Sequence, residues 1–315
     1  MSSLQELVES ASKKYQQLFG SKPIFGGHGS GRVNLIGEHT DYNDGLVLPM
    51  ALPLHTVVVG GVSKDGNCCI ETMAPVDGTA RACFSFDGLP PKSNPGVDAE
   101  ELWSLYMKGV IANFPGREEL KPFNAVVAST VPLGSGLSSS AALEVATFYF
   151  LDSILGGKTT TGLDPADKAK VCQKSEHDWV GVPCGLMDQL VSVAGKQNHA
   201  LLIDCRTNSI EYVPLPSDEY VFAVTNSNVK HEHSNNEYAN RKRSCEQVAS
   251  LLGKSSLRDI SMRELESSQN VLSQDLYRIA RHVITENERT FNAADALKRN
   301  DLTVFGTLMI QVSFL

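Results

Sequence analysis

The stretch Val131-Pro-Leu-Gly-Ser-Gly-Leu-Ser-Ser-Ser-Ala-Ala-Leu-Glu-Val145 constrains this chain most, because a glycine-rich turn passes through consecutive serines into an apolar run with helical spacing. Gly134 and Gly136 let the backbone approach a bulky anion. Ser138, Ser139 and Ser140 supply hydroxyls and amides, and the helix that starts there aims its unpaired N–H groups at the ligand. That combination is a polyphosphate cradle. No lysine follows the glycines, so it is not a Walker A loop. The plainer alternative is a serine that only caps the helix after a tight turn.

A second segment narrows the choice. Gly31-Arg-Val-Asn-Leu-Ile-Gly-Glu-His-Thr-Asp-Tyr-Asn-Asp-Gly45 gathers an arginine, a histidine, carboxylates and amides among glycines. Paired sugar hydroxyls are held by such carboxylates and amides, and an arginine among them can also serve a phosphate. A polar surface loop before the apolar Leu46–Leu52 run is the alternative.

The remaining composition excludes more than it assigns. At 315 residues the length suits about two domains, and 42% hydrophobic with 20% charged residues describes an ordinary globular chain. A net charge of −8 without a basic stripe argues against nucleic acid as a partner. No apolar run is long enough for a bilayer, and the N-terminus reads as an amphipathic helix (Leu4, Leu7, Ala11, Tyr15, Leu18) without a signal-peptide core. The seven cysteines show no metal spacing, which fits reduced thiols in a cytoplasmic protein.

Short β-favouring runs at Thr56–Val62, Cys68–Met73 and Ala125–Ala128 predict a sheet in the first half. Asp164-Pro165 predicts an N-cap and first helical residue for a helix reaching about Trp179. Ala200–Asp204 and Tyr220–Thr225 read as strands; from about Glu237 the pattern is helical. Strands and helices mix without strict alternation, so the fold class is α+β. The Pro214-Leu-Pro-Ser-Asp218 stretch suggests a boundary that separates an N-terminal lobe, residues 1–210, from a partial C-terminal lobe, 211–315.

Arg32 to Asp41 resembles the sugar signature of galactokinases, and Pro132 to Ala142 the phosphate loop of the wider GHMP small-molecule kinase superfamily. Pro183-Cys-Gly-Leu-Met-Asp-Gln189 is similar to the segment in which that family carries its catalytic aspartate. The resemblance implies a two-lobed fold with the active site between the lobes. It also implies transfer of phosphate from ATP to the anomeric hydroxyl of galactose, with Mg²⁺ as cofactor. It places Asp188 as general base and Arg32 as the group that stabilises charge on the transferred phosphoryl. Glu38, His39, Asp41, Gly185 and Tyr238 fall at sugar contacts and Trp103 at the adenine side, while Gly134, Gly136 and the three serines hold phosphate. Ser140 and Glu176 fall at the metal.

Several of these positions keep a simpler reading: Asp188 as a loop cap, Glu176 as an exposed helix carboxylate, His39 and Trp103 as packed core residues. Two departures from the family pattern stand out. Gly29-Ser30 replaces the usual Ala-Pro before the signature, and the sequence lacks the family's third glycine-rich motif, as a truncated product would. That second departure leaves open a non-catalytic galactose and ATP binder. It also predicts self-association through apolar side chains near the end, among them Val304, Phe305, Leu308, Val312, Phe314 and Leu315.

Overall fold

The computed structural model describes residues 3–312 apart from 77, 87, 88, 90–101, 217–219 and 227–236; the side chains of Glu237 and Tyr238 are also outside the description. The chain folds into two compact units that interleave in sequence. The first comprises Met1–Arg32, Leu52–Cys184 and Asp188–Ala194, and the second Val33–Ala51, Gly185–Met187 and Gly195–Leu315. A single cut between residues 210 and 211 does not describe this division, because residues 33–51, which hold most of the sugar-signature segment, group with the later helices.

In the first unit, helix α1 (Leu4–Phe19) opens on a capping box in which Ser3 and Glu6 satisfy each other's backbone N–H. Its Leu7, Ala11 and Tyr15 pack on Val57, Val59, Val126 and Ala128, the face predicted by their spacing. Strand β1 (Phe25–Asn34) is followed by the short β2 (Leu46–Val47), which belongs to the second unit, and the long β3 (Pro49–Val62). β1 pairs with β3. Strands β4 (Asn67–Thr72), β5 (Arg81–Ser85) and, after helix α2 (Leu102–Asn113), β6 (Phe123–Ser129) extend the sheet. β3 pairs antiparallel with β6, from Thr56↔Ser129 to Val62↔Phe123, while β4 runs parallel to β6 and antiparallel to β5.

That last register sets Cys69 opposite Cys83, and the two form a disulfide. The expectation of reduced thiols therefore fails at this pair, because the pairing of strands 14 residues apart could not be read from cysteine spacing. Cys68, Cys172, Cys184, Cys205 and Cys245 remain thiols.

Helix α3 (Ser139–Leu155) buries Val145, Phe148, Phe150 and Leu151. β1 accepts this helix at backbone distance. A Cβ at Gly29 would overlap the carbonyl oxygen of Ala142 and stand 3.0 Å from Ser192 Oγ and 3.1 Å from Ala146 N. Helix α4 (Pro165–Ser175) starts as predicted, with the Asp164 side chain accepting from Asp167 N. It does not run on to Trp179 as an α-helix, since Glu176–Val180 is a π-turn. Helix α5 (Met187–Ala194) follows.

In the second unit, β7 (His199–Asp204) pairs with β2 and with β8 (Ser209–Pro214). Among the described residues it also holds the helices α6 (Glu237–Leu251), α7 (Met262–Ser267), α8 (Gln274–Lys298) and α9 (Leu302–Val312). α8, 25 residues long, buries Ala293, Ala294 and Leu297 with Ile36 and Leu48 on one side of its course. Ala280, Val283 and Ile284 join Val248 and Leu257 in a separate cluster.

No strand forms over Tyr220–Thr225; Val221 is 92% exposed and has no ladder to join. On α9, Phe305 is buried, because it packs with Ala293 and Leu297, and Leu308 and Val312 are partly buried against the same cluster, so these three do not form an exposed apolar face. Val304 and Ile310 are exposed; Phe314 and Leu315 lie outside the described residues. No helix among the described residues is long and apolar enough to cross a membrane.

Candidate active site

In the first unit, Arg32 near the end of β1 engages two other segments. Its Nε donates to Asp188 Oδ1 at 2.8 Å and its Nη2 to Asp188 Oδ2 at 2.6 Å, a fork-on-fork pair. Its Nη1 donates to Gly136 O at 2.6 Å, and its backbone N to Leu137 O at 3.2 Å. One guanidinium thus fixes the glycine-rich turn and the carboxylate of Asp188 together. Asp188 sits in the first turn of α5 rather than in a loop, with its acidic side chain at the favourable end of the helix dipole.

The serine-cap alternative fails at Ser138. This residue has φ 59° and ψ 50°, a left-handed conformation uncommon outside glycine, and makes no side-chain cap to α3. Its hydroxyl donates instead to Asp188 Oδ2 at 2.5 Å. The first turn of α3, beginning Ser139-Ser140, therefore keeps N–H groups that no capping side chain takes. Gly134 and Gly136, at φ +64° and +75°, present open backbone, with nothing within 4 Å of an added Cβ. The turn is built for close approach.

Glu176 is buried, which removes the exposed-carboxylate reading. Gln189 Nε2 donates to Glu176 Oε2 at 3.2 Å and to Glu144 Oε2 at 3.0 Å. Burial, reinforced by the neighbouring Glu176 carboxylate, pushes the Glu144 pKa well above the usual range, and among the described residues its Oε1 has no partner. Trp103 packs partly buried against the α2–α3 core and donates Nε1–H to Thr79 O at 2.9 Å. That packing accounts for its burial without a ligand.

In the second unit, the sugar-signature loop carries Glu38, His39 and Asp41. His39 has φ 64°. Burial, aided by Arg241 and His282, lowers its pKa to about 4, so the ring is neutral near pH 7, and its Nδ1 shares a hydrogen bond with Tyr42 Oη, 2.9 Å away. Thr40 Oγ1 lies 2.8 Å from Gly37 O and 2.7 Å from Leu46 O, closing the loop on itself. Gly185 passes so close to Asp41 that an added Cβ would overlap the Asp41 carboxylate. Tyr238 lies in the first turn of α6, and its side chain is outside the described residues. Among the described residues no cluster of three or more histidine, cysteine or carboxylate groups could hold a metal ion.

Sequence reasoning missed three features: the Ser138 hydroxyl on Asp188, the Glu144–Gln189–Glu176 chain, and the contacts that α8 makes to the sugar loop. A signal existed for the third. Glu286 and Thr290 interrupt an otherwise apolar buried stripe of α8, and polar residues inside such a stripe need partners.

The phosphate turn and its helix define the class. Residues 105–196 match the family model of the GHMP kinases N terminal domain, and a solved mevalonate kinase shares the fold with a TM-score of 0.54 at 14% identity. Residues 13–62 match the galactokinase galactose-binding signature. Galactokinases of Bos taurus and Homo sapiens are each 46% identical over 307 residues, covering 97% of this chain and 76% of theirs. One from Haemophilus influenzae is 39% identical, covering 96% and 76%. The Lactococcus lactis galactokinase solved with galactose has a TM-score of 0.82 at 29% identity, covering 94% of this chain and 76% of that one. The chain belongs to the galactokinase family.

Proposed function

We propose that this chain transfers the terminal phosphoryl group of ATP to the anomeric hydroxyl of galactose, yielding galactose 1-phosphate and ADP. The observation that carries the reading is the joint hold of Arg32 on Asp188 and on Gly136 of the phosphate turn. Phosphoryl transfer needs an oriented nucleophile and charge neutralisation, with little covalent work from the protein.

In this reading Asp188 accepts the proton of the attacking hydroxyl. Arg32 offsets the charge that develops on the transferred group. Gly134, Gly136 and the N–H groups and hydroxyls of Ser138, Ser139 and Ser140 hold the phosphates. Glu38, His39, Asp41, Gly185 and Tyr238 hold the sugar, and galactose as that sugar rests on the relatives' substrate. Trp103 stands at the adenine side.

Mg²⁺ suits the hard oxygen donors of the Ser140 hydroxyl and the Glu176 carboxylate, and Glu144, which shares Gln189 with Glu176, keeps a buried Oε1 without a hydrogen-bond partner among the described residues. When bound, Mg²⁺ supplies charge neutralisation on the phosphates. A cytoplasmic setting suits the remaining free thiols. Of the side chains expected to drive self-association, Val304 is exposed, and light scattering measures the oligomeric state directly.

Coupled ADP-release kinetics tests the reading. ADP release that depends on galactose, on ATP and on added Mg²⁺ is expected; release that is the same without sugar would overturn it.

A further inference from the structure

α8 reaches the sugar-signature loop through a row of polar side chains, and they bind the loop's backbone. Glu286 Oε1 accepts from both Gly37 N, at 2.7 Å, and Glu38 N, at 3.0 Å, from a side chain with 0% exposure. Its Oε2 accepts from Arg289 Nε at 2.8 Å. One turn earlier, His282 Nε2 donates to Glu38 O at 2.9 Å. Just beyond, Asn287 Oδ1 accepts from Leu46 N at 2.8 Å. The peptide groups on both sides of Glu38 are thereby fixed, the N–H by Glu286 and the carbonyl by His282.

We propose that Glu286 and His282 are positioning residues for galactose: they touch no substrate, but they set the place and direction of Glu38 and His39, and so the affinity for the sugar. The proposal rests on the reading of residues 38–41 as the sugar loop.

The physical reason is the cost of the alternative. A carboxylate buried this completely stays only where its lone pairs are taken, and two adjacent backbone N–H groups on one oxygen hold a loop more stiffly than either alone. The next residue, His39, stands in the left-handed region, a conformation that other contacts must hold. A loop ordered before the sugar arrives spares the sugar that ordering cost, so loosening it raises the galactose KM more than it lowers kcat. Arg289 completes the arrangement by balancing the Glu286 charge.

Steady-state kinetics on three pairs of variants tests this. Glu286→Ala should raise the galactose KM about tenfold or more, as expected for lost hydrogen bonds to a charged acceptor, with the ATP KM and kcat held within about threefold. Glu286→Gln keeps a carbonyl oxygen facing both N–H groups and should recover most of that loss. If Glu286→Ala does not fold, His282→Ala against His282→Gln decides: the alanine should raise the galactose KM, and the glutamine, still a donor, should restore it. Asp41→Ala and Asp41→Asn test the underlying reading. A galactose KM unmoved in both would overturn the assignment of the loop itself. A KM that rises in Asp41→Ala but stays at the wild-type value in Glu286→Ala and His282→Ala would overturn only the positioning role. Equal rises in both substrates' KM, with no rescue by the glutamine variants, would also overturn it, since general loosening of the unit would then explain the effect.

Discussion

Ser138 gives its hydroxyl to Asp188: Oγ stands 2.5 Å from Oδ2, the same oxygen that accepts from Arg32 Nη2 at 2.6 Å. One carboxylate therefore takes donors from the phosphate loop and from β1 at once, and its rotamer is set before any ligand arrives. Removing the hydroxyl leaves the bidentate arginine pair in place. Ser138→Ala should lower kcat by about tenfold, in line with a hydrogen bond to a charged group, and leave the galactose KM near wild type. A kcat unchanged in ADP-release assays would show that Arg32 alone fixes Asp188.

Asp188→Ala should lower kcat by about 10²–10⁴, the usual worth of a general base, with galactose binding by calorimetry kept within a few-fold. A kcat close to wild type would mean that positioning alone drives transfer.

Arg32→Lys is not a conservative change. The fork that spans Oδ1, Oδ2 and Gly136 O needs three directed N–H groups, and an ammonium cannot match that geometry. A loss of about 2.7–4 kcal/mol in kcat/KM is expected, as for removal of one preorganised charge stabiliser. Recovery of most activity by lysine would show that charge suffices.

His39 makes stability depend on pH in a defined window. Its folded pKa, about 4, lies below the ordinary 6.5. Between those values the unfolded chain binds a proton that the folded chain excludes, so stability falls as pH drops from 6.5 to 4 and stops falling on this account below 4. The loss amounts to at most about 3 kcal/mol. His39→Asn, tolerated at positive φ, cannot titrate. Unfolding curves of the two proteins should converge or cross as pH falls through that window; parallel curves would mean that His39 is protonated in the fold.

Much of the site was legible because its parts are local. A glycine turn entering a helix, a loop rich in carboxylates and amides and the Asp164-Pro165 helix start are each written within a few residues. What was not legible involves pairs far apart in sequence. Ser138 reads as a helix cap until α5 arrives 50 residues later with Asp188. Glu286 breaks an apolar stripe of α8, but its partner, Gly37, lies 249 residues away and nothing local names it. Tyr220–Thr225 fails for the converse reason: its strand propensity is real, but a strand also needs a neighbour, and propensity does not report one.

Gly29→Ala should destabilise the first unit by about 1–3 kcal/mol, the usual cost of overpacking, because the new methyl would meet the Ala142 carbonyl and the Ser192 hydroxyl. Urea unfolding measures this. A midpoint at or above wild type would show that α3 yields without cost.

The same glycine bears on how this sequence can be exchanged with those of its relatives. The alanine usual before the sugar signature would meet a backbone carbonyl on α3 here, and Gly136 and Ser138, which hold Arg32 and Asp188, immediately precede that same helix. Position 29 is therefore not an independent letter. Strand β1 and helix α3 pack as one piece, and a chimera that swaps the pair should keep its register where a single graft would push the helix, and the two groups proposed to do the chemistry, out of place.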